Sequence, residues 1–161
     1  MKAEYFENPV WTATTYEDKI ELQNDWCFVV DGIEYWLPKG YICDGASIPA
    51  AFWIIPGIGT PTSGFNAIGA FAHDALYLTH ALTRAQADEV AYQLWRQAGK
   101  PRWAARTMWT AVRSPAGAWA YRNTFRDMEE LAKIRCLIRF REDKKKFQSL
   151  WFVNKILPLD S

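Results

Sequence analysis

The stretch FNAIGAFAHDALYLTHALTRAQADEVAYQLWRQAG, residues 65–99, reads as two helices folded back on each other. Phe65, Ile68, Ala72 and Leu76 recur at the three- and four-residue spacing of a helix face, so a first helix is predicted over residues 65–79. Thr83-Arg84-Ala85-Gln86 has the Thr-x-x-Gln form of a capping box, and Gly99 followed by Pro101 is a stop. A second helix is therefore expected over residues 84–98. The short connection around Ala81-Leu82 makes the pair an antiparallel hairpin.

Upstream of the hairpin the period is that of a strand. Lys19-Ile20-Glu21-Leu22 alternates, and Cys27-Phe28-Val29-Val30 is separated from Ile33-Glu34-Tyr35-Trp36-Leu37 by Asp31-Gly32. Asp-Gly between two apolar runs is the strongest short hairpin signal, because both central residues of the matching turn need a positive φ. Pro38-Lys39-Gly40 makes a second turn, and Tyr41-Ile42-Cys43 a short strand. Residues 17–43 are thus β-rich and 44–64 a loop. Downstream, a third helix is expected over residues 102–113, broken by Ser114-Pro115-Ala116-Gly117, and a fourth over about 125–140, where Met128, Leu131, Ile134 and Ile138 recur at helical spacing. Residues 141–161 form a tail in which Glu142-Asp143-Lys144-Lys145-Lys146 precedes Phe147, Leu150, Trp151, Phe152 and Val153. That tail is either a packed helix end or a basic, aromatic anchor for a membrane or partner. The expected architecture is one α+β domain over 1–161, with an amino-terminal antiparallel β-hairpin layer on a helical hairpin and further helices.

The bulk numbers agree with one domain. At 161 residues, half of them hydrophobic, the chain can bury one sizeable core and not two. Nine Trp and nine Phe supply much of its area. The three cysteines Cys27, Cys43 and Cys136 cannot all pair and show no Cys-x-x-Cys spacing, so they are read as core thiols in a reducing compartment. No secretory leader or run of about 20 apolar residues is visible, which points to a protein made and kept soluble inside a cell, unless something other than a signal peptide carries it out. The net charge of +1 argues against general nucleic-acid binding, yet residues 1–83 carry 3 Lys/Arg against 10 Asp/Glu and residues 84–161 carry 16 against 8. Either the halves attract each other in the fold, or a basic carboxy-terminal face meets phosphates, anionic lipid or an acidic partner.

The chemistry-bearing residues cluster on the helical hairpin. His73 and Tyr77 are i and i+4 on the first helix and share a face, and Asp74 is rotated from His73 by about 100°. Asp88 lies across the turn on the second helix, so it can accept from a ring nitrogen of His73 and from the Tyr77 hydroxyl. That leaves the other ring nitrogen as a general base. Asp74 is free to point toward the loop carrying Asp44. Two carboxylates that converge repel unless a cation or proton lies between them, and hard oxygen donors suit Ca²⁺ or Mg²⁺. His80 is expected to cap the carbonyls at the end of the first helix. Ser47 lacks the strand-to-helix elbow of a nucleophile, and His73, His80 and Cys43 have poor spacing for zinc.

Two resemblances extend this reading. The boxes Tyr41-Ile42-Cys43-Asp44-Gly45-Ala46-Ser47-Ile48-Pro49, Ala70-Phe71-Ala72-His73-Asp74-Ala75-Leu76-Tyr77 and Ala87-Asp88 resemble a phage and prophage family of unknown function marked by D-G-A-S-I-P and H-D-x-L-Y, over about residues 17–113. That likeness implies a phage origin. The chain is also similar, more faintly, to prokaryotic calcium-dependent phospholipases of the A-two type, which carry H-D-x-x-Y on one helix, an Asp on an antiparallel helix and an upstream calcium loop. The similarity implies that Asp44 and Asp74 hold calcium, that His73 activates water, and that Tyr77 and Asp88 orient His73. Those enzymes are secreted and disulfide-bonded, whereas this chain has Ala46 for the loop cysteine and Ala72 where a cysteine often precedes the histidine. The function expected is a phage-encoded, hydrolase-like protein with a His-Asp, calcium-dependent site that cleaves lipid esters. The alternative is a non-catalytic virion or tail-associated protein. The expected partners are a lipid or membrane surface or phage virion proteins, with no specific nucleic acid.

Overall fold

The structure is a computed structural model that describes residues 1–14, 19–43, 58–60, 62–123 and 139–140. Six strands come first: β1 (Ala3–Tyr5), β2 (Trp11–Ala13), β3 (Ile20–Leu22), β4 (Trp26–Val30), β5 (Ile33–Leu37) and β6 (Ile42–Cys43). Four helices follow: α1 (Gly64–Thr79), α2 (Arg84–Gln97), α3 (Arg102–Val112) and α4 (Pro115–Asn123). A last short strand, β7 (Arg139–Phe140), returns to the sheet. Among the described residues the strands form an antiparallel sheet in the order β1-β4-β5-β7 and a second, β2-β3-β6. The architecture is α+β, with small antiparallel sheets at the amino terminus against a helical hairpin and further helices.

The turn between β4 and β5 forms where Asp31-Gly32 places it. Asp31 (φ 48°) and Gly32 (φ 82°) are both left-handed, as a two-residue hairpin turn of the primed type requires. That turn sets the register Trp26↔Leu37 through Val30↔Ile33 and delivers Trp26, Phe28, Tyr35 and Leu37 to the core. Phe71, in the middle of α1, is the hinge point between layers: its ring meets Trp11, Trp26 and Tyr41 at centroid distances of 6.2, 6.5 and 6.1 Å. Edge strand β1 is covered by α2, whose Gln93 and Gln97 side chains accept the Ala3 and Tyr5 N–H groups. An edge closed in this way offers no template to another chain. Cys43 is buried in the core and Cys27 half-buried, while Cys136 lies outside the described residues.

The helix ends follow the sequence signals closely. Thr83 and Gln86 form both bonds of the capping box at the start of α2. At its end Gly99 (φ 97°) is left-handed; its N–H donates to Arg96 and that of Lys100 to Trp95, the paired bonds of a Schellman stop. Three expectations are corrected. Ser114-Pro115-Ala116-Gly117 does not merely break α3: it starts α4, with Pro115 at the first helical position, where the missing N–H costs nothing. Arg139 and Phe140, expected to end a fourth helix, pair with Trp36 and Tyr35 as a strand, because the open edge of β5 supplies hydrogen bonds that a helix end would lack. The rest of that helix, and the tail over 141–161, lie outside the described residues. The third concerns His80, which occupies the C-cap of α1 with φ 49° and places its Nε2 3.1 Å from a carbonyl outside that helix, that of Tyr121 on α4.

Close approach of α1 to α2 depends on Gly69. A Cβ at this position would overlap the indole of Trp95, a fully buried side chain whose Nε1 donates to the Asn66 carbonyl at 3.1 Å. Alanine gains about 1 kcal/mol of helix propensity over glycine, but overpacking a rigid core costs about 1–3 kcal/mol. Gly69→Ala should therefore lower the melting temperature by several degrees, as read by thermal denaturation. An unchanged or raised midpoint would show that Trp95 has room to move.

Candidate functional site

The hairpin places its three best donors and acceptors at one buried point. His73 and Tyr77 descend from adjacent turns of α1, their rings 3.9 Å apart between centroids, and Asp88 faces them from the second turn of α2. One carboxylate oxygen, Asp88 Oδ1, accepts from Tyr77 Oη at 2.6 Å and lies 3.0 Å from His73 Nε2. Asp88 is 1 % exposed and His73 8 %. A carboxylate acceptor requires Nε2 to carry the proton, so in the neutral ring Nδ1 holds the lone pair. Nδ1 lies 3.7 Å from the Asp74 carboxylate, whose side chain is a quarter exposed and marks the open side of the cluster.

The electrostatics follow from this geometry. Burial alone would pull the His73 imidazole down, but the Asp74 and Asp88 carboxylates beside the ring outweigh it and hold it above its ordinary value. Burial also pushes the Tyr77 hydroxyl up, reinforced by its bond to Asp88 and opposed by the nearby Arg84 guanidinium. Tyr77 is thus a neutral donor at any physiological pH.

Arg84 is the member of the cluster that sequence reasoning passed over. It lies four residues before Asp88 on the same helix, and its Nε stands 3.9 Å from Asp88 Oδ2. Its Nη2 reaches the other way and donates to the Val112 and Ser114 carbonyls, both at 3.0 Å. Its i,i+4 spacing to Asp88 is the local signal that marks it. Tyr121 of α4 was also missed. Its ring stands edge-on to Tyr77 at 4.9 Å and stacks on His80 at 4.1 Å, and its hydroxyl donates to the Leu82 carbonyl. No local pattern could have found it, since it lies about forty residues along a chain whose path was unknown.

Asp44, Ser47 and the rest of the D-G-A-S-I-P box lie outside the described residues. Asp74 is the described carboxylate on the Nδ1 side of His73. Among the described residues no three or more His, Cys, Asp or Glu side chains gather as a metal site. A second buried polar cluster lies at the other end of the hairpin. There Asn66 Nδ2 donates to the Ile58 and Thr60 carbonyls, and Lys100, 2 % exposed, donates to the Ile58 carbonyl at 2.8 Å. Burial pulls the Lys100 ammonium down to about 8.

Comparison with known proteins places this hairpin within a family. Residues 20–112 match the family described as Protein of unknown function (DUF1353), a stretch that runs from β3 to the end of α3 and contains His73, Asp74, Tyr77 and Asp88. The chain is also 34 % identical over 100 residues to the uncharacterized protein y4jT of Sinorhizobium fredii (strain NBRC 101917 / NGR234). That alignment takes in 62 % of this chain but only 29 % of the relative's length. No solved structure matches the chain.

The raised affinity of His73 for its proton links folding to pH with a definite sign. In the unfolded chain the ring titrates near 6.5, and in the folded protein higher. The stabilisation from the charged ring is therefore complete below about pH 6.5 and is lost as pH rises through the folded value. His73→Gln should be destabilised relative to the parent most strongly at about pH 5.5 and least at about pH 9, as read by urea denaturation. A deficit that grew with pH would show that the ring is held neutral by burial.

Proposed function

The chain belongs to the DUF1353 family, and from that premise we propose that it is a hydrolase of lipid esters in which His73 is the general base. The observation that carries this reading is the shared acceptor: Asp88 Oδ1 accepts hydrogen bonds from His73 Nε2–H and the Tyr77 hydroxyl together. A base needs a fixed tautomer, a fixed ring plane and one free nitrogen, and this arrangement supplies all three. Nδ1 takes a proton from water as the oxygen attacks the ester carbonyl carbon. The resulting imidazolium, stabilised by Asp88, returns the proton to the departing alkoxide, so that acid and alcohol leave and the ring is restored. Asp88 and Tyr77 act through His73 and are positioning residues.

Calcium belongs to the same proposal. Asp74 is a hard-oxygen donor of the kind calcium takes, and Asp44 is its proposed companion. A bound cation would supply positive charge for the ester carbonyl oxygen. The phage-associated setting implied by the two sequence boxes is also part of the proposal, with the host cytoplasm or the virion as the place of action.

Removal of the base is the direct test. His73→Ala should lower ester hydrolysis on mixed phospholipid vesicles by roughly 10²–10⁴-fold, the usual worth of general-base catalysis. In the parent, kcat/KM should rise with pH as the His73 proton is lost, since only the neutral ring is a base. Equal activity of mutant and parent would remove His73 from the mechanism and favour a non-catalytic, virion-associated role.

The cation is tested by thermal melts in chelator and in calcium. A site that binds only in the folded state should stabilise it by roughly 2.7 kcal/mol at 100 times the dissociation constant, a shift of several degrees. Asp44→Asn should abolish that shift without lowering the stability of the metal-free protein. A flat calcium response in the parent would remove the cation.

A further inference from the structure

The outer face of α3 has a character found on no other described helix. Arg102, Arg106, Trp109 and Arg113 follow one another at i, i+4, i+7 and i+11, so they fall within about 60° of arc on one side. A separate side of the helix, carrying Ala104, Ala105, Met108 and Val112, is buried against the rest of the fold. The Arg106 and Arg113 guanidinium groups, one from the turn before and one from the turn after, lie 4.5 and 4.4 Å from the centre of the Trp109 ring. Arg102, Arg106 and Arg113 are exposed, and Trp103 beside them is 52 % exposed. From Val90 to Arg126 the sequence contains no Asp or Glu. Among the described residues these three arginines make no ion pair. The Trp109 ring orders two of these charges, those of Arg106 and Arg113.

Such a face complements a negatively charged surface, and its shape selects among them. Three arginines spread along about 17 Å of straight helix suit an extended plane of phosphates. The Trp109 ring is engaged by two guanidinium groups instead of being open for a base to stack on. Trp103 presents an amphipathic ring of the kind that settles at headgroup level in a bilayer. We infer that the outer face of α3 docks the protein on an anionic lipid surface, with Arg102, Arg106 and Arg113 meeting headgroup phosphates and Trp103 seated in the interface.

This inference rests on the lipid-ester reading for the choice of a bilayer, and the structure connects the two places. Arg84 Nη2 holds the Val112 and Ser114 carbonyls on either side of Arg113, while its Nε stands beside Asp88. A bilayer held on α3 therefore lies against the segment that Arg84 fastens to the His73 cluster.

The experiment is flotation of the full chain with vesicles of phosphatidylcholine alone and of phosphatidylcholine mixed with phosphatidylglycerol. The parent should float with the mixed vesicles, should be released by salt, and should stay behind with the neutral ones. Each cationic side chain near an anionic leaflet is worth roughly a factor of five in partition, so Arg102→Gln/Arg106→Gln should weaken binding about 25-fold. Trp103→Gln, at a site 52 % exposed, should weaken it without altering the salt dependence. Three results would overturn the inference: no binding of the parent to mixed vesicles, binding that neither variant alters, or arginine-dependent binding to duplex DNA with the vesicles ignored. His73→Ala should bind vesicles as the parent does. A parent that binds but does not hydrolyse contradicts the hydrolytic reading alone, and one that hydrolyses dispersed ester but does not bind contradicts only the docking face.

Discussion

A carboxylate buried to 1 % exposure constrains everything around it. Left unpaired, the Asp88 side chain would cost several kcal/mol of desolvation, so the fold must bring donors to it. Both α1 donors, His73 and Tyr77, are one turn apart, and only one register of α1 against α2 puts them on the same oxygen. Slipping that register by a turn would strand the charge. The apolar face of the hairpin holds the helices together, but it tolerates more than one arrangement; Asp88 tolerates one. Gly69 permits the approach that this register demands, because the Trp95 ring occupies the space of its missing side chain.

The same constraint reaches into the helices that follow. Arg84, near the other Asp88 oxygen, fastens the end of α3 to the start of α4. Gly117 lets α4 fold back there, since a Cβ at that position would overlap the Val112 carbonyl. Tyr121 on α4 then closes over Tyr77 and His80. A site whose walls come from α1, α2 and α4 is rigid, and a rigid arrangement is what holds a histidine ring in a single orientation. His73 is held from the Asp88 side, with the partly exposed Asp74 as its link to the exterior.

What the sequence revealed and what it hid divide along the range of the interactions. The Asp31-Gly32 turn, the Thr83–Gln86 box and the Gly99 stop are encoded within four residues of themselves, and each forms as read. The meeting of His73, Tyr77 and Asp88 was also foreseeable, because a short connection fixes an antiparallel hairpin. Strands β1 and β2 were not foreseen: three residues each, they are defined by partners such as Val30 and Leu22 that lie far along the chain. Pro115 was read as a breaker since proline ends one helix and begins another by the same loss of an N–H. Arg84, Tyr121 and the turning of His80 toward α4 depend on where α4 lies. No local pattern states that.

The central claim is that Asp88 fixes the His73 tautomer with the proton on Nε2 and leaves Nδ1 as the free nitrogen. Long-range proton–nitrogen NMR of the imidazole, followed as pH is raised, reports this directly. The account predicts that the ring loses its proton at a higher pH than a free histidine does, that the neutral ring keeps its proton on Nε2, and that Asp88→Asn removes both properties. A neutral ring protonated on Nδ1, or one in rapid exchange between tautomers with Asp88 intact, would contradict it.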